Sequence, residues 1–217
     1  MAHRKGNKLI KAGLLLILAA VLLFSYNIYD SLRAQKVAEQ LFDAVSPQID
    51  PDPVPADGRL QYSYSDTDPA IRPIGREYPD YIIAPGMEMP SVVIDDTDYI
   101  GVISIPSLKI VLPVAAEYSN AALRSSPCLY EGSVYTDDAV ICAHNYKKHF
   151  GPMRRIKPGA EVVFTDMAGN VFRYQVTEIE TLGGTAVEAM LTGDWDLTLF
   201  TCTLGGESRI TVRCEKQ

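Results

Sequence analysis

Metal-binding chemistry has little to work with in this chain. Only three histidines, four cysteines and one tryptophan occur in 217 residues, and no two cysteines form a C-x-x-C pair. Structural zinc sites draw their ligands from such close pairs, so one is excluded. The acidic run Asp95, Asp96 and Asp98 reads as a solvated linker rather than a calcium loop. No metal and no cofactor is expected. Positive charge is scarce beyond the N-terminus. Four of the 20 Lys and Arg precede residue 30, which leaves 16 against 27 acidic residues, a balance of −11. Binding of nucleic acid or anionic lipid through bulk charge is excluded on that count. Repeats are absent. Long apolar runs are absent too, except for one near the start.

That run spans residues 12–26 and extends to Tyr29 across Asn27. It approaches the ~20 residues a spanning helix needs. Arg4, Lys5, Lys8 and Lys11 precede it with no acid among them, which keeps the N-terminus cytoplasmic. Tyr26 and Tyr29 suit the opposite interface. A cleavable signal peptide is the rival, but no small-x-small site stands at Ser25-Tyr26-Asn27. The run reads as an uncleaved single-pass anchor (residues 12–29), with everything after it outside the cell membrane. Residues 30–46 continue as an amphipathic stalk helix, with Val37, Leu41, Phe42 and Val45 on one stripe.

Nine of the 14 prolines fall between residues 47 and 90. Residues 47–97 therefore read as a semi-rigid spacer whose tyrosine- and isoleucine-bearing second half drapes over the domain. From Asp98 the pattern turns to β. Strands are expected at residues 99–105, 110–114, 139–144, 161–165, 171–176, 179–182, 197–201 and 209–214, with a hairpin turn at 166–170. Short helical turns are expected at 120–124, 150–156 and 185–191. Eight short strands in ~120 residues imply an all-β fold, a closed barrel or a sandwich.

Three residues carry chemistry. Cys202 ends the apolar strand Leu197-Thr198-Leu199-Phe200-Thr201, a rigid and accessible mount for a nucleophile. Arg209 opens the next strand after the turn Leu204-Gly205-Gly206-Glu207. It can reach back beside Cys202 to offer fixed donors to an oxyanion. Its bland alternative is an ion pair with Glu207 or another acid. Arg213 shares the face of Arg209, and a solvent-facing role is expected for it. His144 closes the strand from Ala139 and can take or give a proton. His149, at a helix start, is the weaker candidate, and His3 lies on the cytoplasmic side. Cys128, Cys142 and Cys214 read as small buried apolar residues.

Thr198-Leu199-Phe200-Thr201-Cys202, Arg209-Ile210-Thr211-Val212 and the upstream His144 together resemble the sortase pattern T-L-x-T-C, R-x-x-V and histidine. Residues 99–106 and 112–114 resemble that family's first two strands. The likeness covers about residues 98–217. It departs at Ala143, where many members carry Gly before the histidine. The resemblance implies a closed eight-stranded barrel and a membrane-anchored cysteine transpeptidase of Gram-positive bacteria. Cys202 would cleave the Thr–Gly bond of an LPXTG-like signal, with His144 as acid and base and Arg209 at the oxyanion. An amine of a cell-wall precursor or pilin would resolve the thioester. Thr201, Thr203 and Asn145 would contact substrate. The stalk is class B-like and the compact barrel class D-like. The alternatives are a cysteine endopeptidase acting with water, and a non-catalytic anchored β module. A papain-like enzyme is disfavoured, because its nucleophile precedes its histidine.

Overall fold

The computed structural model describes residues 2–54, 58–65 and 68–217. Helix α1 (Ala2–Val45) runs without interruption for 44 residues. It is rich in Ala, Leu and Lys and contains no proline, so nothing internal breaks it. It tightens to a 3-10 turn at Ser46–Gln48, where Pro47 cannot continue an α-helix. Its two halves differ. Leu14 through Phe24 are exposed apolar side chains, whereas Ala34, Ala38, Leu41 and Val45 are buried. Those four positions recur at the spacing of one helical face. Leu41 and Val45 pack with Tyr99, Val102, Ala115, Cys128 and Cys142, and Val37 and Phe42 lie at the edge of the same cluster. The expected stripe packs on the barrel, and the apolar and amphipathic segments are one continuous helix.

Part of the proline-rich region forms regular elements. Strands β1 (Arg59–Ser65) and β2 (Asp68–Glu77) form an antiparallel pair of their own. A two-stranded unit has free edges on both sides, where prolines cost no ladder hydrogen bond. The short helix α2 (Asp80–Ile83) follows. Tyr81 stacks on Tyr135 with ring centroids 4.9 Å apart and meets Phe172 edge-on. Met87 and Met89 pack against the core. These contacts belong to residues 81–89; the packing of the side chains before residue 77, where draping was also expected, lies outside the described residues.

Strand β3 (Val92–Ile94) pairs with β4 (Thr97–Ile105). The two residues between them, Asp95 and Asp96, have φ of 48° and 60°. Two successive left-handed residues are what a tight hairpin turn needs, and Asp tolerates them. The acidic run is thus a turn, not a linker. Then come β5 (Ile110–Ala115), β6 (Cys128–Glu131), β7 (Ala139–Cys142), β8 (Glu161–Asp166) and β9 (Val171–Gly183), helix α3 (Val187–Leu191), β10 (Leu197–Cys202) and β11 (Ser208–Lys216). The order β4-β5-β6-β7-β10-β11-β9-β8 closes through β8 pairing with β4, with β3 appended at the rim. Eight strands make a closed barrel with mixed directions, because β5–β6 and β7–β10 are parallel.

The number of strands matches expectation, but the membership differs. Residues 171–176 and 179–182 belong to one strand, β9. Between Val176 and Glu178 the register shifts against β11, and the Thr177 hydroxyl donates to the Arg213 carbonyl at 3.2 Å. A bulge, not a break, accounts for the polar interruption. The eighth strand is β6, only four residues long. Inside the barrel, Ile103, Ile105, Val114, Ile141, Phe164, Tyr174, Leu197 and Leu199 are fully buried. Each such aliphatic or aromatic side chain contributes roughly 1.5–3 kcal/mol through burial. The β8–β9 turn is held by Asp166, which accepts the Tyr135 hydroxyl at 2.6 Å and the Asn170 backbone N–H at 2.8 Å.

Candidate active site

Strand β10 lies between β7, parallel, and β11, antiparallel. Its last residue, Cys202, stands directly opposite Arg209. The tight turn from Thr203 to Glu207 enforces that pairing. Gly205 and Gly206 take φ of 97° and 80° there, conformations that favour glycine. Thr203 closes the turn. Its N–H donates to the Ser208 carbonyl at 2.9 Å, and its hydroxyl accepts the Ser208 N–H at 3.2 Å.

On the other side the β7–β10 ladder runs one step past the end of β7. The Ala143 N–H donates to the Phe200 carbonyl at 3.2 Å, and the Thr201 hydroxyl donates to the Ala143 carbonyl at 2.8 Å. His144 therefore follows a residue fixed on both its N–H and its carbonyl. Cys202 likewise follows Thr201, which is 1% exposed. His144 lies two residues beyond the end of β7 rather than within it. Asn145 donates from Nδ2 to the Thr203 carbonyl at 3.3 Å, so the histidine loop is also tied to the turn beyond the cysteine.

Cys202, His144 and Arg209 open onto one cavity of about 190 Å³. Tyr118, Tyr130, Phe200, Val187 and Met190 give it an apolar wall. None of residues 77–97 lines it. A larger cavity of about 670 Å³ opens elsewhere, bordered by Glu88, Asp96, Asp98 and Glu117. Among the described residues its lining holds no cysteine, histidine or arginine, whereas the smaller cavity holds all three.

Arg209 donates from Nη1 to the carbonyls of Gly206 at 2.9 Å and Ser208 at 3.2 Å. No carboxylate pairs with it among the described residues, so the expected alternative, an ion pair with Glu207, is not what holds it. One guanidinium nitrogen grips the turn, while Nη2 and Nε have no partner among the described residues. That arrangement fixes a cation beside the thiol and leaves it donors to spend on a ligand. Burial lowers the His144 pKa. Asp30 opposes that shift, and Arg124 reinforces it. The resting ring is a neutral imidazole near pH 7, able to accept a proton.

The other candidates separate cleanly. His149 is fully buried, and burial pushes its pKa down to about 4. It is a packed neutral ring, not an acid–base group. Cys128, Cys142 and Cys214 are buried free thiols, with burial raising Cys128 to about 11 and Cys214 to about 12. Arg213 is the correction. It is 2% exposed, not solvent-facing. It donates to Glu180 at 2.8 Å, to Thr198 at 2.9 Å, and to the Met190 and Ala189 carbonyls at 2.8 and 2.5 Å. It thereby clamps α3, which supplies Val187 and Met190 to the cavity wall. The alternating positions 209, 211 and 213 do share a face, as expected, and α3 covers it at Thr211 and Arg213. The three side chains assigned to substrate contact are engaged within the protein: Thr201 with Ala143, Thr203 with Ser208, and Asn145 with Thr203. Their hydrogen bonds hold the frame on which His144 and Cys202 sit. Sequence reasoning missed Tyr146, which packs beside His144 with ring centroids 4.8 Å apart. Its spacing of two from the histidine was the available signal.

No curated protein matches the chain. A sortase-domain family model matches residues 103–217. Among solved structures, sortase C1 from Streptococcus agalactiae is 27% identical with a TM-score of 0.51, covering 58% of this chain and 70% of that one. The sortase D5 transpeptidase of Clostridium perfringens is 20% identical with a TM-score of 0.49, covering 55% and 79%. Sortase A of Listeria monocytogenes is 24% identical with a TM-score of 0.48, covering 55% and 87%. The family match takes in more than half of the 217 residues, including His144, Cys202 and Arg209. A closed mixed barrel, a cysteine at the end of one strand with an arginine opposite, and a family model laid over both lead to one conclusion: this chain belongs to the sortase family of cysteine transpeptidases.

Proposed function

We propose that the protein is a membrane-anchored transpeptidase that joins proteins bearing an LPXTG-like signal to an amine of the cell wall or of a pilin. The observation that carries the reading is the convergence of Cys202, His144 and Arg209 on one cavity. In the first half-reaction the Cys202 thiol gives its proton to the neutral His144 ring, and the sulfur attacks the carbonyl carbon of the Thr–Gly bond. The carbonyl π pair moves to oxygen, where the free Arg209 donors meet the negative charge. The intermediate collapses to a thioester as the C–N bond breaks, and the departing glycine amine takes the proton from His144. An incoming amine then attacks the thioester, His144 accepts its proton, and Cys202 leaves as the thiol. Substrate side chains would rest on the apolar wall, while Thr201, Thr203 and Asn145 keep the frame in register.

Residues 12–29 act as the anchor, 1–11 as a cytoplasmic tail and 98–217 as the extracellular catalytic domain. The helix from Ile10 has an 18-residue window of mean hydropathy 2.0, none of it buried. That is long and apolar enough to cross a membrane. The test is incubation of the full-length protein with a panel of LPXTG-type peptides, with and without an amine, read by mass spectrometry. A thioester adduct on Cys202 and an amine-dependent ligated product are expected. Cleavage by water alone, at the same rate with amine present, would assign the protein to hydrolysis instead.

A further inference from the structure

The loop that carries His144 is built against the anchor helix, not only against the barrel. Within residues 144–151 the chain folds on itself. The Phe150 N–H donates to the His144 carbonyl, and the His149 and Gly151 N–H groups both donate to the Tyr146 carbonyl, each at 3.1 Å. Gly151 has no room for a Cβ, which would strike the Asn145 and Tyr146 carbonyls. Two side-chain tethers leave this knot. Asn145 reaches Thr203 on the nucleophile side. Tyr146 donates its hydroxyl to Oδ2 of Asp30 on α1 at 2.6 Å. The Tyr146 ring touches both histidine rings, with centroids 4.8 Å from His144 and 5.4 Å from His149. Burial and the bond to Asp30 raise the Tyr146 pKa to about 12, which keeps its hydroxyl a donor at any working pH. Asp30 is the first acid after the apolar run and stands one residue past Tyr29. Ala34, one turn further along α1, is buried.

We propose that Asp30 and Tyr146 are positioning residues for the reaction: the first extracytoplasmic turn of the anchor helix is a structural part of the active site, holding the His144 loop through one carboxylate–phenol bond. The proposal rests on His144 serving as the acid–base group. The carboxylate has two effects. It fixes the Tyr146 ring against which the imidazole lies, and it favours the imidazolium that must form when the thiol gives up its proton. Arg124, from the 3-10 segment Ala122–Arg124, acts in the opposite sense. Tyr146 and the neutral His149 ring face His144 from its own loop, and Cys202 and Arg209 share its cavity. Asp30 is the one anion in that set, and it comes from the helix rather than the barrel.

The test uses the full-length chain in lipid nanodiscs, with Asp30→Ala, Asp30→Asn, Asp30→Glu and Tyr146→Phe. Two quantities are read: the pH dependence of peptide transfer, and the titration of the His144 ring by NMR on histidine-labelled protein, assigned with His144→Gln. Asp30→Ala and Tyr146→Phe are expected to lower kcat about tenfold with KM within about twofold, at unchanged melting temperature. Asp30→Ala and Asp30→Asn should both move the His144 titration to lower pH, and Asp30→Glu should return it toward wild type. A His144 titration that stays at its wild-type pH in both Asp30→Ala and Asp30→Asn overturns the proposal, whatever happens to the rate. Failure of the acid–base reading is a separate result: His144→Gln would then keep full transfer activity.

Discussion

The β10–β11 ladder carries the same residue types at its two ends, and the ends could hardly behave more differently. At one end Leu197 faces Cys214, both sealed, and Arg213 beside them is spent on four acceptors inside the protein. At the other end Cys202 faces Arg209, both half-buried on a cavity, with guanidinium donors to spare. A cysteine and an arginine at neighbouring positions are therefore structural or chemical according to whether the barrel wall continues past them. Arg213 lies under α3 and Cys214 within the core. Cys202 and Arg209 lie where the ladder stops and the turn begins. Histidine repeats the lesson, with His149 packed away and His144 at the opening.

Substitutions can break this contrast. The largest effect is expected for Cys202→Ala, which should remove the acyl-enzyme and lower transfer at least ~10³-fold. Cys214→Ala should stay within a few-fold of wild type in rate. Iodoacetamide applied to the folded protein should label Cys202 alone, and labelling of Cys214 first would reverse the assignment. The two arginines should split rate from stability. Arg209→Ala is expected to lower kcat about 10²–10³-fold with little change in melting temperature. Arg213→Ala should instead cost about 3 kcal/mol, because Glu180 and two helix carbonyls lose their donor. Equal effects of both on stability, measured by urea unfolding, would erase the distinction.

A slope of stability against pH marks the packed histidine. The folded-state pKa of His149 lies near 4, below the ordinary 6.5. Between those values the unfolded chain binds the extra proton, so stability is complete above pH 6.5 and falls as pH drops toward 4. The loss should reach about 3 kcal/mol at the lower limit. His149→Phe should flatten that slope of melting temperature against pH. An unchanged slope would place the acid sensitivity elsewhere.

The contrast between the ladder ends was half legible in the sequence. The apolar alternation of residues 197–201 and the turn after Cys202 place Cys202 opposite Arg209, since an antiparallel turn leaves little choice of register. Arg213 was misread because strand periodicity gives the face of a residue but not what covers that face. The cover is α3, five residues long and distant in pairing. β6 escaped notice for a similar reason. Its four residues sit between Pro127 and Gly132, and it meets β5 at the single pair Ala115–Cys128, a parallel contact with no local signature. β1 and β2 were hidden by prolines that argue against a central strand but not against an isolated hairpin. The tether from Tyr146 to Asp30 spans 116 positions, and nothing in either local pattern announces it.

The unbroken run of α1 from the apolar segment into its docking face has a mechanical consequence. At 1.5 Å per residue, 44 residues form a rod of about 65 Å, and no loop separates the apolar stretch from the turns that pack on the barrel. With the apolar stretch seated in a bilayer, as we propose, the barrel would have no swivel with which to sweep the surrounding space. Its mouth would then keep a set height and heading over the lipid, and peptide and acceptor would have to travel to it.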